Sequence, residues 1–544
     1  MKKLVALFLA CMMLCASAAF AVAEEPMIIT VLDVTTQHTE EIETNLTTLY
    51  LEEKFNVKFQ WEHISQDVAM EKFNIYVQGE NLPHLVMLPE VYMDFQSVFA
   101  LGLEGVLRDL TDLIAEYAPN ITKHLEEDVP YANVAYSPDG AIYNIPVKTN
   151  GINVASHLFI NAEWLKALDM EMPTTIDEFY AYLKAVKEND VNGNGDPNDE
   201  IPLMQRGSSV TYMASHSTIM CAFTPTQRYG DFFFDENGQV YFQPTANGYR
   251  EALQFLAKCY AEGLLYKEAY SITRDGIWQI ADTSPDYDMI GSIMGHNGTC
   301  MFSNATDRYL NYEVVPKMSS ANYEGGILHD PYGGFKVGGV IPANCPEDVA
   351  IKLMQIFDFF ATEEGTFLQF NGLEGYYWEY AKEGELNAKG EPAVFRTFTT
   401  EEMIAKYGED QANWMNSTKV AFGWGWPAYQ TAHYNNTVAQ PVTEYTSHSQ
   451  KFDTAYLEKV YDGLLVNDNV FPSTFVFSEA ALYDISLWQA DIDSYVNLSE
   501  AEFVMGQRDI NDDAQWQAYI DHLNGLGLDD YLALVQTEWD AAQR

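Results

Sequence analysis

Apolar positions in the first hundred residues follow two different periods in turn. Residues 27–34 are mostly apolar, and apolar side chains alternate over 57–61 and recur over 84–88, as they do in strands. Helical spacing separates these segments, over 42–50 and over 67–78. The order strand, helix, strand, helix, strand predicts an α/β lobe with a parallel sheet and right-handed crossovers.

A second clear pattern is a helix with an explicit start signal. Thr175 and Glu178 have the spacing of a capping box, in which each side chain bonds a free backbone amide of the first turn. Ile176, Leu183 and Val186 then fall on one helical face. The sequence therefore predicts a packed helix that leads directly into the polar segment DVNGNGDPNDE.

That polar segment has the ligand spacing of a calcium-binding EF-hand loop. Oxygen-bearing side chains alternate at its start, and Gly195 stands at position six, where such loops turn sharply. Ile201 replaces the glutamate expected at position twelve, so the loop is a variant. We expect a structural Ca²⁺ site whose oxygens come from Asp190, Asn192, Asn194, Asp196, Asp199 and Glu200. The alternative is a solvated Asn/Gly/Asp turn, which these residues favour by themselves.

Composition narrows the class of protein. Residues 1–23 have the basic start, apolar run and small-residue end of a secretory signal peptide, so we expect an extracytoplasmic protein, secreted, periplasmic or held at the cell surface. The net charge of −49 argues against nucleic acid, anionic lipid surfaces and polyanionic ligands as partners. The remaining length exceeds one hydrophobic core and predicts at least two domains.

Four cysteines follow the predicted signal peptide, far apart in the chain. Cys221, Cys259, Cys300 and Cys345 lack the C-x-x-C spacing of zinc or redox sites. Buried thiols and one or two disulfides both remain open.

Several separated stretches resemble one known family. They are GENLPHLVML, GLEGVLRDLTDLIAEYAPNI, GAIYNIP, the segment from FINAEWL to NDEIP that contains the predicted loop, and the tail RDINDDAQWQAYIDHLNGLGLDDYLALVQTEWDA. Together they are similar to the extracellular solute-binding proteins of ABC importers, in the large branch that includes alginate- and other oligosaccharide-binding members.

The resemblance implies an α/β, two-lobed periplasmic-binding-protein-like fold with a ligand cleft between lobes that close about a hinge. It places the crossings near 148–151, 313–317 and 371–375. The implied lobes are 27–148 with 313–373, and 149–312 with 374–544. It also implies a monomer that binds an oligosaccharide, delivers it to ABC permease subunits and performs no catalysis, and it carries the calcium ligands over to the six residues named above.

Candidate ligand-binding residues follow from the chemistry of sugars, which present apolar faces to aromatic rings and polar rims to hydrogen-bonding groups. Three aromatic residues directly follow a predicted crossing, two tryptophans alternate in a glycine-containing segment, and a strand ends in GHNG. The predicted set is Tyr376, Tyr377, Trp378, Trp424, Trp426, His296 and Asn297.

Other functions are also open at this level. A secreted glycosidase or lyase needs paired carboxylates, a role that Glu374 and Glu379 beside Trp378 could fill. A peptide-binding receptor, or an adhesin or sensor without transport, would share the binding chemistry. Incubation with oligosaccharides separates a receptor from an enzyme, because only the enzyme forms product.

Overall fold

The structure is a computed structural model. It describes residues 25–35, 42–65, 68–79, 81–87, 93–149, 157–205, 217–226, 230–295, 301–302, 307–328, 334–387, 391–418, 426–430, 465–466 and 469–542. Within these ranges no helix combines the length and the apolarity needed to cross a membrane.

The amino-terminal part forms the predicted parallel sheet. Strand β1 (Met27–Thr35) lies between β2 (Val57–Ser65) and β3 (Leu85–Met87), and both neighbours run parallel to it. Helices α1 (Leu46–Phe55) and α2 (Ala69–Gly79) make the two crossovers. The order β2-β1-β3 confirms the prediction of a doubly wound lobe.

Short helices complete this lobe, and side chains cap them. They are α3 (Phe95–Leu103), α4 (Thr111–Tyr117), α5 (Pro119–Glu127) and α6 (Val129–Ala135). Helix α5 has no capping side chain of its own. Instead Asp358, from a helix more than 200 residues later, accepts hydrogen bonds from the amides of Asn120 at 2.7 Å and Ile121 at 3.0 Å.

A second sheet organises the middle of the chain. After β4 (Val147–Lys148), strand β5 (His157–Asn161) pairs antiparallel with β8 (Ser292–Gly295) and β9 (Tyr312–Val314). The elements between β5 and β9 are α7 (Ala162–Ala167), α8 (Ile176–Glu188), α9 (Ser217–Met220), β6 (Phe232–Phe234), β7 (Val240–Phe242), α10 (Asn247–Ala261) and α11 (Arg274–Ala281). The capping box of Thr175 and Glu178 forms as predicted.

The last part of the chain returns to both regions. It contains β10 (Ile327–Leu328), β11 (Phe335–Lys336), α12 (Glu347–Phe360), α13 (Glu363–Asn371), β12 (Trp378–Tyr380), β13 (Phe395–Thr397), α14 (Thr400–Tyr407), α15 (Glu409–Thr418), β14 (Leu465–Val466), α16 (Glu479–Val504), α17 (Asp513–Gly525) and α18 (Leu528–Ala542). Helices α16 to α18 pack on the second sheet's core, and α12 packs on the first.

The buried side chains form two large groups that correspond to two lobes. The first group surrounds Ile29 and Phe357, and the second surrounds Phe179 and Ile492. Trp426 lies in the first group, although the predicted boundary at 373/374 assigns it to the carboxyl-terminal lobe. The α/β, two-lobed fold class is confirmed, and the lobe boundaries stay a prediction.

Two segments that lie beside the predicted lobe boundary are held against the first lobe. Strand β4, beside the predicted crossing at 148–151, pairs antiparallel with β11, whose Phe335 belongs to the first core. Far from it in sequence, the side chain of Gln96 on α3 holds the backbone of Phe477, accepting from its amide at 2.7 Å and donating to its carbonyl at 3.3 Å. The segment before α16 therefore lies against the first lobe.

Buried thiols, one of the two open alternatives, are found at the described cysteines. Cys259 and Cys345 are free and buried, and burial raises the pKa of each thiol to about 12. Cys221 is also buried. Cys300 lies outside the described residues.

Candidate functional site

The carboxyl ends of the parallel strands are where a doubly wound sheet binds its ligands. In the order β2-β1-β3 the two crossovers run in opposite directions, the first from β1 to β2 and the second from β2 back past β1 to β3. The topological switch point of the sheet therefore lies between β1 and β3. Residues 36–41 and 88–92, which follow the two strands, lie outside the described residues. The described polar groups beside this edge come from β1, β2 and α1.

Asp33 is the acidic group at this edge. It lies at the carboxyl end of β1, and its Oδ2 atom is 3.8 Å from Nδ1 of His63, its register partner on β2. Burial raises the pKa of Asp33 to about 7 and lowers that of His63. The ring of Trp61 lies parallel to the His63 ring at 6.3 Å.

The beginning of α1 adds two buried polar side chains. Asn45 caps the helix by accepting from the amide of Thr48 at 2.8 Å. The Nδ2 atom of Asn45 and the Oγ1 atom of Thr48 are buried and have no hydrogen-bond partner. Buried polar groups without partners are costly, so these atoms are available to a polar ligand or to water.

The ligand-binding residues predicted from the sequence do not include Asp33, His63, Asn45 or Thr48. One signal was available, because Asp33 interrupts the apolar run MIITVLDV. A charged residue inside such a run is rarely buried without a specific role.

A hydrogen-bonded group stands beside the crossing at β4. The carboxylate of Asp128 accepts hydrogen bonds from Nζ of Lys148 and from the hydroxyl of Tyr429. Burial acts to raise the pKa of Asp128, but these bonds outweigh it and hold the pKa below its usual value. The His124 ring stacks on Tyr429 at 3.6 Å. The group ties the crossing to the first lobe.

The three aromatic residues after the predicted crossing at 371–375 have different environments. Tyr376 is 45% exposed, and its ring lies parallel to Tyr407 at 6.2 Å. Tyr377 and Trp378 are buried, at 2% and 4% exposure. The Trp378 ring stacks on Phe367 at 4.6 Å, and its Nε1 donates to the Gly372 carbonyl at 2.9 Å. Other side chains therefore cover most of the Tyr377 and Trp378 rings, and the ligand role of the three residues stays a prediction.

Trp426 is also a core residue rather than an exposed platform. It is fully buried, stacks on Phe360 at 4.8 Å and meets Phe59 and Phe357 edge to face. The alternate spacing of Trp424 and Trp426 predicted that the two rings share an exposed side. The structure instead places Trp426 in the first core. Trp424, His296 and Asn297 lie outside the described residues, and their ligand role stays a prediction.

The two carboxylates considered for an enzyme have different surroundings. Glu379 pairs across β12 and β13 with Arg396, at 2.7 Å between Oε1 and a terminal guanidinium nitrogen. The same guanidinium binds Glu402 at 2.9 Å. Glu379 is thus held in an ion-pair network, while Glu374 is exposed.

The predicted calcium loop is ordered by its own side chains. The carboxylate of Asp199 accepts from Nδ2 of Asn192 at 3.1 Å and of Asn194 at 2.7 Å. Asp190 accepts from the amide of Gly195 at 2.9 Å, which closes the loop at its sharp turn, where Gly195 has φ +95°. Most of the oxygen-bearing side chains therefore gather within one short segment.

Glu200 gives the loop a further oxygen. Its Oε1 atom accepts from the amide of Val191 at 2.8 Å, whereas Oε2 is buried without a partner. Burial raises the pKa of this carboxyl group. The side chain of Asp196 accepts a hydrogen bond from the amide of Asn198, within the same loop. Over the described ranges no three His, Cys, Asp or Glu side chains converge as metal ligands do. In this loop Asn192 and Asn194 supply amide oxygens besides the carboxylates. The set of hard oxygens, with one buried and unpartnered, fits calcium.

A known protein family matches the larger part of this chain. Residues 50–376 match the model of the bacterial extracellular solute-binding proteins. The chain belongs to this family. The match covers more than half of the chain's 544 residues, including β2 and β3 of the first sheet, the predicted calcium loop and the second sheet.

Individual relatives are similar to nearly the whole of this chain. The fructooligosaccharide ABC transporter substrate-binding protein FusA of Streptococcus pneumoniae is 24% identical over 503 residues, which are 91% of this chain and 86% of FusA. An EF-hand mutant of FusA in complex with fructo-nystose has a TM-score of 0.72 at 20% identity, covering 95% of this chain and 99% of that one. A human-milk-oligosaccharide (HMO)-binding solute-binding protein from Bifidobacterium longum infantis has a TM-score of 0.75 at 18% identity, with coverage of 95% and 99%. These similarities show the two-lobed fold of the solute-binding proteins.

Proposed function

We propose that this solute-binding protein captures an oligosaccharide between its two lobes and delivers it unaltered to an ABC permease outside the cytoplasm. The observation that carries the proposal is the similarity to FusA over 91% of the chain, together with the two cores of a cleft-forming fold. The predicted signal peptide over residues 1–23 agrees with this location. Tight packing of Trp426 in the first core and of β12 and β13 against α13 favours assigning residues 374–387, 391–418 and 426–430 to the first lobe as well.

Capture of this kind depends on hydrogen bonds and on burial of the ligand, and it needs no covalent step. On the side of the first lobe, Asn45 and Thr48 offer unpartnered polar atoms, and Asp33 and His63 lie at the adjacent strand ends. Asn371, near a predicted crossing, is buried with neither polar atom of its amide partnered. Sugar hydroxyls both donate and accept, so they can satisfy such groups when the lobes close.

Titration calorimetry with a panel of neutral oligosaccharides tests this function. We expect binding with a micromolar dissociation constant, equivalent to about 8 kcal/mol, and an unchanged sugar after prolonged incubation. A new reducing end or an unsaturated product would instead identify an enzyme. Binding of peptides but of no saccharide would identify a peptide receptor.

We further propose that the loop over 190–200 holds a structural Ca²⁺ ion. The oxygens would come from Asp190, Asn192, Asn194, Asp199 and Glu200, with the backbone of Asp196. Bound there, calcium would supply positive charge that neutralises the carboxylates and crosslinks the loop. The occurrence of an EF-hand in FusA supports this assignment.

Removal of calcium is expected to destabilise the protein. At a free calcium concentration about 100 times the dissociation constant, the ion would contribute about 2.7 kcal/mol to the free energy of unfolding. A chelator should therefore lower the melting temperature, and added calcium should restore it. Differential scanning calorimetry of the wild type measures the effect.

A matched pair of variants locates the calcium effect. Asp199→Asn should abolish the response to chelator, because Asp199 lies at the centre of the loop's hydrogen bonds. Asp235→Asn alters a comparable Asp-x-Asn-Gly turn without the other oxygens and should keep the full response. A wild type that melts identically with and without chelator contradicts the assignment.

A further inference from the structure

A groove on the flank of the first lobe forms a cavity among the described residues. Its volume is about 620 Å³, within the range of small-ligand sites. It lies between α1, α13 and the segment that leads into β12. The lining residues are Tyr50, Glu363, Glu364, Phe367, Leu368, Gly372, Leu373, Glu374, Trp378 and Tyr380.

On one side of the groove, the polar groups already have a hydrogen-bond partner within the protein. Nζ of Lys54 donates to Glu364 at 2.9 Å and to the hydroxyl of Tyr50 at 3.1 Å. It also lies 4.5 Å from the centre of the Phe359 ring. Lys54 therefore occupies the position that an amine ligand would take between a carboxylate and aromatic rings.

The other side of the groove is open. Tyr380 is 53% exposed, and its ring meets Trp378 edge to face at 5.3 Å. Glu363 and Glu374 are exposed at the rim. Glu363, Glu374 and Tyr380 line the same groove, where burial first, and then the charges of the two glutamates, raise the pKa of Tyr380. An apolar ring thus stands beside strong hydrogen-bond acceptors.

The charges of the groove restrict its ligand. Lys54 neutralises Glu364, whereas the lining carboxylates of Glu363 and Glu374 are exposed at the rim and disfavour uronates, phosphates and anionic lipid headgroups. Among the described residues these carboxylates do not converge as metal ligands do. A neutral polyhydroxylated molecule fits best, because its C–H face can cover the ring of Tyr380 while its hydroxyls donate to Glu374 and Glu363.

We propose that this groove is a second carbohydrate site, which binds a neutral saccharide independently of the cleft. All its lining residues belong to α1, α13 and the β12 region, on the first lobe and its packed hairpin. A weak site here would hold saccharide chains near the protein and raise the local concentration at the cleft. Tyr380 is the platform, Glu374 and Glu363 bind the hydroxyls, and Trp378 forms the wall behind.

Hydroxyl-radical footprinting of the full-length wild type tests the groove. The readout is the oxidation of Tyr380 relative to Tyr136, an exposed tyrosine of similar accessibility elsewhere on the first lobe. Neutral trisaccharides (kestose, maltotriose and raffinose) at about 20 mM fill a millimolar site almost completely. At least one should lower the Tyr380/Tyr136 ratio at least twofold, whereas trigalacturonate should not.

Variants separate the groove from the cleft. Glu374→Gln should weaken the protection of Tyr380 about tenfold, because it removes a charged acceptor. Glu53→Gln, at an exposed position of α1, should leave it unchanged.

A ratio that none of the trisaccharides lowers overturns the groove proposal even if calorimetry shows cleft binding. Protection by spermidine instead of sugar overturns it in favour of an amine site. Protection of Tyr380 without any calorimetric cleft binding would leave the groove standing and refute the proposed function.

Discussion

Replacement of Trp426 by alanine is expected to lower the free energy of unfolding by about 3–5 kcal/mol, the usual cost of removing a buried tryptophan. The side chain is fully buried and lies among Phe59, Phe357 and Phe360. Its removal leaves a cavity between β2 and α12 that these rings can fill only in part. Urea unfolding followed by circular dichroism measures the loss.

The opposite result would restore Trp426 as a ligand platform. In that case Trp426→Ala would weaken oligosaccharide binding and leave the unfolding midpoint of the empty protein unchanged. Tyr483→Ala serves as the control, because Tyr483 is 70% exposed on α16. Its replacement should change stability by less than about 0.5 kcal/mol.

Asp33→Asn is expected to stabilise the protein above neutral pH, on the order of 2–4 kcal/mol at pH 8. Burial raises the pKa of Asp33 from 3.8 to about 7, so the folded state favours the protonated carboxyl group. The stability associated with this group is fully present below the unfolded pKa and is lost as the pH rises through about 7. Asparagine stays neutral, and its amide can donate to Nδ1 of His63, which has no hydrogen-bond partner.

The measurement is the difference in unfolding free energy between Asp33→Asn and the wild type from pH 4 to pH 8. The difference should grow with pH and level off above pH 7. Comparing the two proteins removes the background from Asp231 and Asp493, whose pKa values burial raises to about 7 and about 6. Asp491→Asn, at an exposed position, controls for the loss of one negative charge. A difference that is constant over this range contradicts the buried, protonated state of Asp33.

Elements that depend on neighbouring residues were predictable from the sequence. The capping box of Thr175 and Glu178 starts α8 as expected. The first parallel sheet follows from apolar periodicity alone. The loop after α8 also gathers its oxygens as the spacing suggests. Each of these features rests on hydrogen bonds or side-chain alternation within about ten residues.

Side-chain exposure was the part that sequence reasoning missed. Tyr376 and Trp378 are two residues apart, yet one is exposed and the other is stacked on Phe367. Asp33 appears as one acid among 79, and only its position at the end of β1 beside His63 distinguishes it. No local pattern separates a ring that faces a ligand from a ring that faces another helix.

The sequence by itself determined the family, the parallel sheet and the chemistry of the loop over 190–200, because these depend on local hydrogen bonding and on the order of elements. Only the tertiary structure decided that Trp426 is core, that Asp358 caps α5 from a distant helix, and that Tyr380 borders an open groove. The physical reason is that burial and electrostatic environment arise from contacts between segments far apart in the chain, which periodicity along the chain does not encode.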